Sequence, residues 1–194
     1  MNSVINILAK NPDGGDCKTR LGRLLTKDER IFLSKEMLKI TCAEVSNINI
    51  DKFLHFYPDT SGDFAKSLSS SYGIKMLNQS HGFLSKKIYM ALEFQKNKFE
   101  KRVLIGSDIP TISKNEIYEC ISYLDYCDLV IGPSKDSGFY LVGVKKQAHE
   151  FFMNMNLNEI LVDDIIHICR AKRIKYMMLR VLKDIDTPSD LLNL

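Results

Sequence analysis

The stretch Val103-Leu104-Ile105-Gly106-Ser107-Asp108-Ile109-Pro110 sets the tightest limit on what this chain can fold into. A short apolar run stops abruptly at Gly-Ser-Asp-x-Pro. An apolar run bounded by turn residues reads as a strand buried on both faces of a parallel sheet. Ligands of open α/β sheets lie just outside the carboxyl ends of such strands. Asp108 therefore presents a carboxylate where a ligand or metal would bind. Hard cations prefer oxygen donors and use few protein carboxylates, so this position suits Mg²⁺ or Mn²⁺ shared with substrate phosphates. The plainer alternative is that Asp108 only organises the turn before the next helix.

The rest of the chain repeats the alternation that such a strand requires. Strands are expected at Val4 to Leu8, Phe53 to Tyr57, Ile74 to Leu77, Asp128 to Gly132, Phe139 to Val144 and Tyr176 to Leu182. Two capping boxes, Thr26-x-x-Glu29 and Ser113-x-x-Glu116, announce helices. Further helices are expected from Phe83 to about Phe94, with Leu84, Ile88, Ala91 and Leu92 inward, and from Asn158 to Lys172. A short last helix follows Thr187-Pro188, with Pro at the first helical position and Asp190 completing the cap. This order predicts an α/β fold, a mostly parallel central sheet covered on both faces. No linker divides the sequence, so residues 1–194 are expected to form a single domain.

Composition excludes several classes of function. The net charge of +3 over 194 residues is too small to argue for a nucleic-acid partner. No run approaches the roughly 18 unbroken apolar residues of a membrane helix. The N-terminal Met1-Asn2-Ser3-Val4-Ile5-Asn6-Ile7-Leu8 lacks a basic region and reads as a first strand, not a signal peptide. Five cysteines form no C-x-x-C pair, which argues for reduced thiols, hence a cytoplasmic location, and against a zinc site. The four histidines show no metal-ligand spacing.

Four stretches can carry chemistry. The loop Asn11 to Arg20 follows the first strand; Gly15 would allow close backbone approach, and Lys18 and Arg20 suit phosphate oxygens. It is neither a Walker A nor a G-x-G-x-x-G motif, and by spacing alone a solvated surface turn with a basic end explains it somewhat better. Asp108 is the second. Third, Asp136 lies in Ser134-Lys135-Asp136-Ser137-Gly138, which also reads as a plain hairpin turn. Fourth is Asp184-Ile185-Asp186-Thr187-Pro188; in an extended segment Asp184 and Asp186 point the same way, and Thr187 leaves Asp186 without a capping role.

These residues, in this order, resemble a glycosyltransferase-like family catalogued as a domain of unknown function, within the GT-A or nucleotide-diphospho-sugar transferase superfamily. The matching stretches are Ala9–Pro12 through Gly15 to Lys18-Thr19-Arg20-Leu21, then Gly106-Ser107-Asp108-x-Pro110. Gly132-Pro133-x-x-Asp136-x-Gly138-Phe139-Tyr140-Leu141 and Asp184-x-Asp186-Thr187-Pro188-x-Asp190-Leu191 complete them. Gln79-x-x-Gly82-x-Leu84 also resembles a family segment. Lys18-Thr19-Arg20-Leu21 is similar to the corresponding stretch of phospholactate guanylyltransferases. The resemblance implies a GT-A-like three-layer α/β/α sandwich. It further implies a metal on Asp108 and Asp186 and phosphates against Lys18 and Arg20. Phe83, Ser85, Lys87 and Ile88 depart from the family pattern.

The leading expectation is a metal-dependent transferase with a nucleotide-sugar donor and a small-molecule acceptor. Mg²⁺ or Mn²⁺ on Asp108 and Asp186 would neutralise the departing diphosphate, and Asp136 would orient the acceptor or act as base. The alternative is a nucleotidyltransferase, in which a nucleoside triphosphate binds and pyrophosphate leaves. A third reading, prompted by the departures at Phe83 and Lys87, is a non-catalytic nucleotide-binding or regulatory module.

Overall fold

The computed structural model describes residues 2–15 and 17–192. Seven strands form one sheet: β1 (Ser3–Lys10), β2 (Asp51–Tyr57), β3 (Lys75–Asn78), β4 (Lys101–Ile105), β5 (Leu129–Pro133), β6 (Phe139–Lys145) and β7 (Tyr176–Met178). Their order is β3-β2-β1-β4-β6-β5-β7. All pairings are parallel except those of β6, which runs antiparallel to both β4 and β5. The reason is local: a handful of residues join β5 to β6, enough for a hairpin but too few for a crossover.

Helices cover both faces. On one side lie α1 (Lys27–Ser46), α2 (Asp63–Tyr72) and α4 (Lys114–Tyr123), packing Leu38, Cys42, Leu68 and Ile117 against Ile5, Ile7, Val103 and Ile105 of the sheet. On the other lie α3 (Leu84–Glu93) and α5 (Val162–Lys172), which pack Ile88, Leu92, Ile165 and Cys169 against Leu104, Ile131 and Val142. All five residues of β4 are buried, with Val103 and Ile105 serving one core and Leu104 the other. A strand sandwiched this way has no solvent face, which is why its sequence is a continuous apolar run.

Both expected capping boxes are present. Thr26 Oγ1 accepts from Glu29 N at 3.3 Å while Glu29 Oε2 accepts from Thr26 N at 2.8 Å, and Ser113 with Glu116 repeats the arrangement. Three elements differ from expectation. The helix expected from Asn158 begins at Val162, because the Leu161 amide is held by Asp164 Oδ2 and the Val162 amide donates to Ser137 O at 2.9 Å. Residues 158–161 are thereby left outside the helix, where they line a cleft. The strand expected to reach Leu182 ends at Met178. Beyond it the chain hydrogen-bonds to β5 through Leu179, whose amide donates to Ile131 O, and through Leu182, whose amide donates to Pro133 O. Helix α2 was not foreseen: four serines in DFAKSLSSSY obscure an apolar stripe of Phe64, Ala65 and Leu68. The short terminal helix α6 (Pro188–Leu192) is present, and Asp190 Oδ2 accepts from the Thr187 amide at 2.7 Å. No helix among the described residues is long and apolar enough to cross a membrane.

Candidate functional site

Successive strands are added to one side of β1 as far as β3, and then the chain crosses to the other side with β4. The carboxyl ends of β1 and β4 therefore flank a topological switch point, where the loops diverge and leave a crevice. From β1 comes Lys18, at φ 48° and ψ 41°, a left-handed conformation that turns its side chain inward. From β4 comes Asp108. The third contributor is the segment after β7, which runs back across the sheet end. Its Ile185 amide donates to Asp108 O at 3.0 Å, and its Ile185 carbonyl accepts from Lys18 Nζ at 2.6 Å. Ile185 is thus fastened to both loops, which leaves Asp184 and Asp186 on either side of it facing the crevice.

Lys18 Nζ lies 2.6 Å from Asp108 Oδ1 and 3.8 Å from Asp186 Oδ1. The Lys18 side chain is 4% exposed, whereas that of Asp108 is 58% exposed. A buried ammonium needs paired anions, and here two carboxylates converge on it. Arg20 Nη1 pairs with Asp186 Oδ2 at 2.9 Å, with 65% of its own side chain in solvent. No group of three His, Cys, Asp or Glu side chains arranged to hold a metal occurs among the described residues. Asp108 and Asp186 nonetheless share one cation position, at present filled by Lys18. Two hard carboxylates with room for phosphate and water oxygens are what Mg²⁺ or Mn²⁺ accepts, so the donor set fits.

This cluster divides two adjoining clefts. The first, about 340 Å³, is lined on its far side by Lys10, Lys87 and Gln79. Burial, and after it the nearby Lys10 charge, pushes the Lys87 ammonium below the usual lysine range. Lys87 Nζ also stands 4.0 Å from the Tyr57 ring centroid. Cations drawn together at the mouth of a cleft are arranged for a polyanion. The second cleft, about 490 Å³, lies beyond Asp108 and holds Asp136, Asp184 and Glu159 over a floor that includes Ile88, Leu104 and Tyr140. Burial, followed by the Asp136 charge, raises the Asp184 carboxyl above the usual range.

Of the residues singled out from the sequence, Lys18, Arg20, Asp108 and Asp186 meet at the divide. Asp136 lines the second cleft and also shapes its turn, its Oδ1 accepting from Ser134 Oγ and, at 3.0 Å, from the Gly138 amide. Asp136 thus organises the turn and also faces the second cleft. Gly15 does not line either cleft. At φ +73° it closes the 3₁₀ turn Pro12–Gly14, and a Cβ there would lie 2.8 Å from Lys27 Cε. Its role is conformational. Sequence reasoning passed over Lys10, Lys87 and Glu159. The signal for Lys87 was the segment that begins Gln79-x-x-Gly82-x-Leu84, whose Gln79 and Leu84 both line the first cleft.

A family profile described as "Uncharacterized protein conserved in bacteria (DUF2064)" matches residues 41–159. The chain is 32% identical over 134 residues to the 2-phospho-L-lactate guanylyltransferase of Methanobrevibacter smithii, a match spanning 69% of this chain and 58% of that relative. Its fold superposes on a candidate nucleotide-diphospho-sugar transferase from Desulfovibrio desulfuricans G20 with a TM-score of 0.84 at 22% identity, covering 98% of this chain and 85% of the other. It also superposes on 4-diphosphocytidyl-2C-methyl-D-erythritol synthase from Anaerococcus prevotii DSM 20548, at a TM-score of 0.69 and 15% identity over 99% and 95% of the two chains. The three-layer α/β sandwich is accordingly that of the nucleotide-diphospho-sugar transferases.

Proposed function

The chain belongs to the DUF2064 family, and we propose that it is a nucleotidyltransferase that takes a nucleoside triphosphate and releases pyrophosphate. The observation that carries this reading is the Lys18–Asp108–Asp186–Arg20 cluster at the switch point, with a basic cleft on one side and a separate cleft on the other. A triphosphate needs several cations along its length, and Lys10, Lys87, Lys18 and Arg20 all line the first cleft. The guanylyltransferase name of the relative and the cytidylyl chemistry of a structural neighbour favour this over the nucleotide-sugar donor expected first from the sequence.

Within this reading, Lys87 and Lys10 hold the outer phosphates. Arg20, being exposed, turns toward the phosphates as they arrive. Lys18, tethered by Ile185 O, turns to the α-phosphate once a cation takes its place between Asp108 and Asp186. A divalent cation held by Asp108 and Asp186 supplies charge neutralisation on the leaving pyrophosphate when bound. Asp136 and Asp184 face the second cleft, where an acceptor hydroxyl delivers its proton to one of them.

The test is calorimetric titration with each nucleoside triphosphate and with nucleotide-sugars, with and without Mg²⁺ or Mn²⁺, on wild type and Asp108→Asn. Metal-dependent triphosphate binding lost in Asp108→Asn is the expected result. Preference for a nucleotide-sugar would restore the glycosyl reading. Nucleotide binding indifferent to metal and to Asp108→Asn would favour the non-catalytic module.

A further inference from the structure

The two clefts carry opposite charge, and this bears on the acceptor. The first is lined by Lys10, Lys18, Arg20 and Lys87 against Asp108 and Asp186. The second carries Asp108, Asp136, Glu159, Asp184 and Asp186, with Arg20 the one basic side chain lining it among the described residues. Arg20 is already paired with Asp186. With a divalent ion on Asp108 and Asp186 and Arg20 turned toward the nucleotide's phosphates, Asp136, Glu159 and Asp184 would be the charged groups of this lining left facing the acceptor. Asp184 is half-buried, so its charge is less screened by water than those of the exposed Asp136 and Glu159. The remaining lining is apolar, with Leu84, Phe139, Ile160 and Leu161 around the opening.

We propose that the second cleft takes an acceptor alcohol bearing a cationic nitrogen and no phosphate or carboxylate of its own. This rests on the nucleotidyltransferase reading and deepens it. A phospho-acid of the kind in the relative's name would meet three carboxylates once Arg20 has turned to the nucleotide, so the acceptor of this chain differs in charge from the one that name implies. In the transfer the acceptor's hydroxyl oxygen bonds to the α-phosphorus. The bond from that phosphorus to the β-phosphate oxygen breaks, and pyrophosphate leaves with the electron pair. The hydroxyl proton passes to Asp184 or Asp136, and the cationic nitrogen keeps its charge throughout. The approximate cleft volume of 490 Å³ is ample for a small amino alcohol with an apolar body.

The experiment is an amide NMR titration of the full-length, ¹⁵N-labelled chain with two probes, choline and 2-phospho-L-lactate, each with and without saturating nucleotide and Mg²⁺. Choline is expected to shift the amides of residues 136–140 and 158–161 in a saturable way, and phospholactate to leave them in place. The Glu159→Gln, Asp184→Asn double variant is expected to weaken choline binding about tenfold while its other amide signals stay at their wild-type positions. Phospholactate binding with choline silent, equal binding of both, or silence from both overturns the proposal. Failure of nucleotide to bind, with choline still shifting the same amides, would instead count against the nucleotidyltransferase reading alone.

Discussion

Replacing Lys18 by Met separates two roles that the ammonium combines. Met keeps the length and apolar volume of the stem and removes the charge. The lost interactions are the 2.6 Å bond to Ile185 O and the pairing with Asp108 and Asp186. A hydrogen bond from a charged donor contributes about 1.5–3 kcal/mol, and removing a buried charge also removes its desolvation cost. The ion pair with Asp108 is discounted, because that carboxylate is 58% exposed and screened by water. A net loss of about 1–2 kcal/mol follows, which in a chain of this size lowers Tm by roughly 3–6 °C. Metal affinity moves the other way. Lys18 occupies the cation position shared by Asp108 and Asp186, so its removal frees two carboxylates for a divalent ion. Taking about 1 kcal/mol for the competing contact, Mn²⁺ should bind Lys18→Met roughly fivefold more tightly in the absence of nucleotide. Nucleotide should bind about tenfold more weakly, since a phosphate contact is gone. Calorimetry or Mn²⁺ electron spin resonance reads the first quantity and calorimetry the second. Mn²⁺ affinity that falls in Lys18→Met as it does in Asp108→Asn would refute the idea that lysine and metal compete for one position.

Other outcomes follow from the same geometry. Lys87→Ala should weaken triphosphate binding by about tenfold, and Lys87→Arg should restore most of it; equal affinities for all three proteins would remove Lys87 from the phosphate wall. Gly143→Ala should cost about 1–3 kcal/mol in urea unfolding, because a Cβ there overlaps Cys120 Sγ and crowds Leu124 Cδ1 at 3.3 Å, and Cys120→Ala should recover part of the loss. An unchanged midpoint would show that α4 can move aside. Buried His55, whose Nε2 meets Asn6 Oδ1 at 2.9 Å, is pushed down to about 4 by burial. Its folded pKa is below the unfolded 6.5, so the stability it contributes is present above pH 6.5 and is lost as pH falls toward 4, by roughly 3 kcal/mol in full. Urea midpoints in His55→Gln should depend less on pH across this window than those of wild type.

Strand β4 was legible because a strand buried on both faces leaves no polar position, and its end could be placed to the residue by Gly106. The two capping boxes were legible for a similar reason: each is a reciprocal contact within four residues. Helix α5 was misplaced at its start because the bonds that delay it, from Val162 to Ser137 and from Leu161 to Asp164, include one to a distant turn. The antiparallel course of β6 follows from the length of its hairpin, but its insertion between β4 and β5 does not.

The sequence by itself determined the α/β alternation, the family, and the identity of four charged residues that face a common point. These are encoded locally, in apolar period and in short motifs. Only the tertiary structure decided that Lys18 stands between Asp108 and Asp186, that Lys10 and Lys87 share a wall, and that Asp136, Glu159 and Asp184 share another. Those groupings join residues from the beginning, middle and end of the chain. They depend on strand order and on how Ile185 is tied to two loops, and no spacing along the chain records either. The separation of charge between the clefts, and with it the class of acceptor, exists only once the sheet has brought those loops to the same end.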